Sequence, residues 1–285
     1  MFFHSKIDWQ KIKHELDLLR ASEGYSIGPL LLAINCYINA EPQSSRFFKK
    51  LYRYCFLIED KVKNLAEEER LLQLNQFIFE DMQFQIIPES LNNNVYELLP
   101  ESLLISQKGP ALSIAIFYLH LAEFLELPIY LANHSSFCVL KWIRPKKTTF
   151  IDLSQQGKIL TEEEVLEFFN NKKPIPQCHA NLLERMSSKD IVTLYLEKIL
   201  EFLGRTNFYK KIILIYDILL ELHPSNTGYI VKRALTKKAI GLNKEALLDF
   251  KRYFTYIDKK DAPHEIKLAY YEANALSTQI DEMVH

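Results

Sequence analysis

The chain has 285 residues, of which 48% are hydrophobic and 25% charged, and a formal net charge of -1 at pH 7. Such a composition supports one large or two modest domains around a sizeable core and excludes a disordered chain. The near-neutral balance gives no global attraction to nucleic acid or acidic lipid, so neither is an expected partner.

Four widely spaced cysteines, Cys36, Cys55, Cys138 and Cys178, form no C-x-x-C pair. They fit reduced thiols in a cytoplasmic protein better than a disulfide framework. The amino terminus has no basic start leading into an uninterrupted apolar run, so no signal peptide is predicted. The longest apolar stretch, 110–132, is interrupted by His120, Glu123, Glu126 and Pro128; it reads as a core helix followed by a strand, not a membrane span. The eight histidines are dispersed and no glycine-rich loop offers backbone amides to phosphate, so no metal or cofactor is expected.

From about 28 to 86 the apolar residues recur at three and four, as in Phe48, Leu51, Cys55 and Ile58, and again in Leu71, Leu74, Ile78 and Met82. That spacing predicts a helical amino-terminal domain, 1–94. Residues 87–101 carry proline, serine and three successive asparagines, a turn-rich connection into a core at 95–176.

The core opens with a helix at 110–126, closed by Leu127-Pro128 because the residue before proline disfavours the helical region. Short runs rich in β-branched and aromatic residues predict strands at 129–132, 137–142 and 148–152, the last two joined by a loop through Arg144, Pro145, Lys146 and Lys147. Thr161 followed by Glu164 is a capping-box start for a helix ending near Asn171, and 172–176 reads as a linker. The expected class is therefore α+β and predominantly helical, with a small antiparallel sheet packed on the 110–126 helix.

The last part, 177–285, shows a weak internal repeat. Tyr209, Ile212, Tyr216 and Pro224 align with Asn243, Ala246, Phe250 and Asp258 at a spacing of 34, the period of a tetratricopeptide helix pair. An irregular helical bundle is the alternative.

Acyl-transfer chemistry on a thiol needs a helix amino terminus to stabilise the thiolate, a histidine within reach and a third group to orient it. The stretches KGPALSIAIFYLHLAEFLELP, LANHSSFCVLKW and TFIDLSQQGKIL, preceded by LLQLNQFIFEDMQFQ at 71–85, resemble the bacterial SirB-type family. That resemblance implies a helical lead-in, a transglutaminase-like core and a tetratricopeptide-like tail, with a regulatory association carried by the family's name. It places the nucleophile's position at Ala111, two residues after Gly109, the histidine's at Phe137 and the aspartate's at Asp152. Only the last keeps its residue type, and a lone carboxylate neither attacks as a thiolate nor shuttles the leaving-group proton. The implied protein is a pseudoenzyme that binds a protein partner.

Other candidates are weighed beside these. Cys138 follows Phe137 on a strand and so points to the opposite face; a packed thiol is the plainer reading. Cys178 and His179 are neighbours that match no catalytic or metal spacing, and Ser113 is half a turn from Ala111. Asp152 also fits a simpler role, holding the turn before Ser154. The rival function is a cysteine hydrolase or acyltransferase with its nucleophile relocated to Cys138 or Cys178 and His134 or His179 as base.

Residues 59–101 hold ten acidic and three basic side chains, and 228–260 hold nine basic and three acidic. The sharper reading of this asymmetry is a docking surface at Arg233, Lys237, Lys238, Lys244 and Arg252, which receives either the chain's own acidic region, for example Lys237 against Glu68, or an acidic partner segment. Nucleic-acid binding through the same surface is a third possibility.

Overall fold

The structure, a computed structural model, describes residues 6–21, 28, 34, 44–88, 100–132, 139–172 and 184–284. It is α+β and predominantly helical, and divides into two compact units between Tyr195 and Leu196. Among the described residues no helix is long and apolar enough to cross a membrane.

In the first unit, α1 (Lys6–Ala21) precedes α2 (Ser44–Val62), whose Leu51, Tyr54, Cys55, Ile58 and Val62 are buried. That is the three-and-four spacing of the sequence turned inward. α3 (Glu67–Gln76) buries Leu71 and Leu74 and then widens into a π turn, Phe77–Asp81, closed by the Met82 N–H on the Phe77 carbonyl at 2.9 Å. The wide turn turns three consecutive side chains, Phe77, Ile78 and Phe79, inward.

Tyr54, Phe77, Phe84 and Phe117 meet in that core. Tyr54 stands edge-on to the other three rings, and Phe84 stacks on Phe117 with centroids 4.9 Å apart. Each such pair adds about 0.5–1.5 kcal/mol beyond the area it buries.

A two-residue parallel pair, β1 (Gln85–Ile86) with β2 (Lys108–Gly109), brackets α4 (Pro100–Ser106) and delivers the chain to α5 (Ala111–Phe124). The sheet follows, in the order β3 (Ile129–Leu131), β4 (Val139–Arg144), β5 (Lys147–Asp152), β6 (Lys158–Leu160), all antiparallel. Two features differ from the sequence reading. Arg144 pairs with Lys147, so the β4–β5 loop is only Pro145 and Lys146, and β6 adds a strand where none was predicted. Ala132 bridges Arg185 and the Met186 N–H donates to the Leu131 carbonyl at 2.9 Å, which supplies hydrogen bonds to the β3 edge.

α6 (Glu162–Lys172) covers the sheet through Val165, packed on Val139, Phe150 and Leu160. It starts on the predicted capping box. The Thr161 N–H donates to Glu164 Oε2 at 2.7 Å, and the Glu164 N–H donates to Thr161 Oγ1 at 3.2 Å. These bonds hold the Glu164 carboxyl below its ordinary range, the backbone bond to Thr161 being the largest cause.

The boundary between the units falls within α7 (Ser188–Leu203). The second unit continues with α8 (Tyr209–Leu222), α9 (Thr227–Ala239), α10 (Asn243–Tyr253) and α11 (His264–Val284), each packed on the next. Tyr209 and Asn243, aligned at a spacing of 34, are the first residues of α8 and α10. Ile212, Tyr216, Ala246 and Phe250, aligned in the same register, are all buried. Ala234, Ala246, Phe250, Ala269 and Ala273 form one hydrophobic cluster of the unit, small residues on α9 and α11 admitting the Phe250 ring.

Candidate functional site

The start of α5 is fixed by the backbone rather than by a capping side chain. Gly109 pairs with Ile86, its carbonyl accepts from the Ile87 N–H at 2.9 Å, and Pro110 holds the N-cap with φ -58° and ψ 153°. Ala111 is therefore the first residue of the helix and half-buried. This is the place where helix amides and dipole would stabilise a thiolate, and its side chain is a methyl group. Ser113 is buried and already engaged in a contact of its own.

Asp152 ends β5 opposite Val139, and the 3₁₀ turn it caps, Leu153–Gln155, packs against α5. Its side chain is 4% exposed. Oδ1 accepts from the Ser154 N–H at 2.8 Å and from the Ser154 hydroxyl at 2.6 Å, and Oδ2 accepts from Gln155 Nε2 at 2.7 Å. All three donors come from residues two and three positions on, so the carboxylate is satisfied within its own turn.

The turn is pinned in place by a second network. Gln156 and Gly157 have φ of 55° and 82°. Asn75 Nδ2 donates to the Gly157 carbonyl at 2.8 Å and the Tyr118 hydroxyl donates to Asn75 Oδ1 at 2.7 Å. A Cβ at Gly157 would stand 2.4 Å from Asn75 Oδ1, so glycine is required for both its backbone angle and its close approach. Tyr118 is fully buried, and desolvation raises its hydroxyl well above the ordinary tyrosine value. Nothing in the sequence pattern marks Asn75, Tyr118 and Gly157 as partners, because 82 residues separate the first from the last.

Cys55 is the cysteine whose surroundings are described. It is buried, and burial pushes its thiol up to about 11, the opposite of what a nucleophile needs. Phe137, Cys138, His134, Cys36, Cys178 and His179 lie outside the described residues. Among the described residues no three of histidine, cysteine, aspartate and glutamate are grouped as metal ligands.

Residues 46–197, just over half of the chain, match the transglutaminase-like superfamily. The chain belongs to that superfamily. The matched span begins inside α2, so the helices that lead into β1 belong to the transglutaminase-like domain together with the helix and sheet that carry Ala111 and Asp152. No curated protein and no solved structure matches the chain.

Outside the transglutaminase-like domain, several cations of the predicted docking surface have partners within the second unit. Arg233 sits between two carboxylates. Nε and Nη2 donate to Asp249 at 2.9 and 2.5 Å, and Nη1 donates to Asp217 at 2.7 Å. Lys237 reaches Asp249 at 2.7 Å, Lys238 reaches Glu272 at 2.6 Å, Arg252 donates to the Pro224 carbonyl at 2.5 Å, and Lys244 is engaged as well. Within the first unit, Glu68 binds Arg144 at 2.7 Å, whose guanidinium lies over the Trp142 ring at 3.7 Å. Three of the cations counted at 228–260, Arg233, Lys237 and Lys238, are thus bound to carboxylates on other helices of the second unit. Burial raises the Asp217 carboxyl against the pull of Arg233.

Proposed function

We propose that this transglutaminase-like chain is a non-catalytic, partner-binding protein of the SirB type, with the second unit acting as a tetratricopeptide-like tail. One observation carries the reading. At the helix head where an acyl-transfer nucleophile would sit there is Ala111, and the carboxylate that would orient a histidine is held by Ser154 and Gln155. A site arranged this way supplies neither attack nor proton transfer. The helix pairs whose first helices begin 34 residues apart support a repeat tail, and the family resemblance supplies the regulatory association.

The test is affinity capture from the native cell with the full chain and with its Cys138→Ala/Cys178→Ala double variant. A partner recovered in near-equimolar amount by both forms supports binding without thiol chemistry. Loss of that partner from the double variant, or no partner above an unrelated bait, overturns it.

A further inference from the structure

α11 carries two stripes on opposite sides. Ile266, Ala269, Tyr270, Ala273 and Ser277 recur at three and four and face inward, the first four in or against the cluster around Phe250 and Ser277 buried beyond them. His264, Leu268, Tyr271, Ala275 and Thr278 recur by four, three, four and three residues and are all exposed, Leu268 by 51% and Tyr271 by 58%. A helix packed on one side needs only the first stripe. The second has the alternation of a two-stranded seam: Leu268 and Ala275 fall at one of its two heptad positions, and His264, Tyr271 and Thr278 at the other.

An exposed leucine beside an exposed tyrosine is ordinary on a protein surface and needs no explanation alone. The residues that flank this pair say what fits on it. Lys267 and Asn274 line one margin of the outer stripe, and Glu265 and Glu272 line the other. Two such helices laid antiparallel set like margins together, acidic on acidic. Laid parallel and in register, they set the basic margin of one against the acidic margin of the other, and Lys267 then meets Glu272 of the second copy, five positions along. Glu272 meets Lys238 through Oε2 and its side chain is 49% exposed, so it can take a second cation. The two-fold axis makes that contact twice.

We propose that α11 is a self-association surface, on which a second copy of this chain docks its own α11 parallel and in register. Leu268 and Tyr271 supply the apolar contact, and the Lys267 and Glu272 margins set the direction. The seam is short, with small or polar residues at Ala275, Thr278 and His264. One helix face lies at or below the low end of specific interfaces, about 1,200 Å², so the pair forms reversibly and depends on concentration.

Sedimentation velocity of the full chain across about 5–500 μM, a range that brackets a weak complex, tests it. The sedimentation coefficient is expected to rise with concentration from that of one copy toward that of two. Leu268→Glu changes an exposed side chain, so its unfolding midpoint is expected to stay in place while association moves to concentrations at least about tenfold higher. Lys267→Glu, which sets carboxylate against carboxylate, is expected to weaken association several-fold. Oxidation of Thr278→Cys under associating conditions is expected to join the two copies through residue 278, read by mass spectrometry, because equivalent seam positions lie side by side only in a parallel pair. A single copy throughout the range, equal association in Leu268→Glu, unchanged or stronger association in Lys267→Glu, or no link between the two residues 278 would each overturn the proposal.

Discussion

Two buried carboxylates, Asp152 in the first unit and Asp249 in the second, are 4% exposed alike yet are satisfied in opposite ways. Asp152 takes its three donors from Ser154 and Gln155 in the same turn. Asp249, on α10, takes its donors from Arg233 and Lys237 on α9, and Arg233 also draws in Asp217 from α8. A carboxylate satisfied by its own turn needs nothing from any other element of the fold. A carboxylate satisfied across helices is a fastener, and removing its partner leaves a charge stranded in the interior.

The largest expected effect breaks the fastener. Arg233→Met leaves Asp249 with Lys237 alone and Asp217 with no partner, at a cost of about 3 kcal/mol, toward the low end for losing one member of a buried pair because the site is not fully closed. Urea unfolding followed by a probe in the second unit measures it. Replacing Arg233, Asp217, Asp249 and Lys237 together by apolar residues of similar volume is expected to recover most of the loss. Asp217→Asn alone is expected to cost little at neutral pH: burial raises the Asp217 carboxyl, so its ionised form weighs against the fold at pH values above that raised value.

Next comes the turn that follows Asp152. Gly157→Ala meets Asn75 and a φ of 82°, and is expected to cost about 2 kcal/mol in the same experiment. Pairing it with Asn75→Ala should recover only the steric part, since the backbone angle persists. Asp152→Asn keeps an oxygen for Ser154 and turns a donor against Gln155, for an expected loss of about 1 kcal/mol, the scale of a missing cap. A much larger loss would mean that Asp152 does more than hold its turn.

The smallest effect concerns Glu164, exposed at the head of α6. Its folded pKa lies below the unfolded one, so its contribution is present above the ordinary carboxylate range and is lost as pH falls through the depressed value. An NMR titration should place Glu164 below that range in the unaltered chain and return it there in Thr161→Ala.

Much of this was legible in the sequence. The α5 helix and its proline stop and the capping box at Thr161 and Glu164 rest on contacts between near neighbours, and so does the plain reading of Asp152 as a turn holder. Four short elements were not legible. The two-residue β1 and β2 owe their pairing to residues more than twenty positions apart, β6 is three residues whose partner is Asp152's own strand, and the π turn interrupts a helical period that the alphabet alone continues. The internal partners of the basic run at 228–260 were hidden for the same reason. A count of charges along the chain does not reveal that Asp217 and Asp249 lie against Arg233.

The central claim, that no thiol of this chain is poised for chemistry, is tested most directly by mass-resolved alkylation of all four cysteines with iodoacetamide from pH 5.5 to 9. Cys55, raised to about 11 by burial, is expected to be the slowest, and Cys36, Cys138 and Cys178 to react only as the pH approaches the ordinary thiol range. Rapid, stoichiometric labelling of Cys138 or Cys178 near pH 6 would contradict the account and make the chain a cysteine enzyme with a displaced nucleophile.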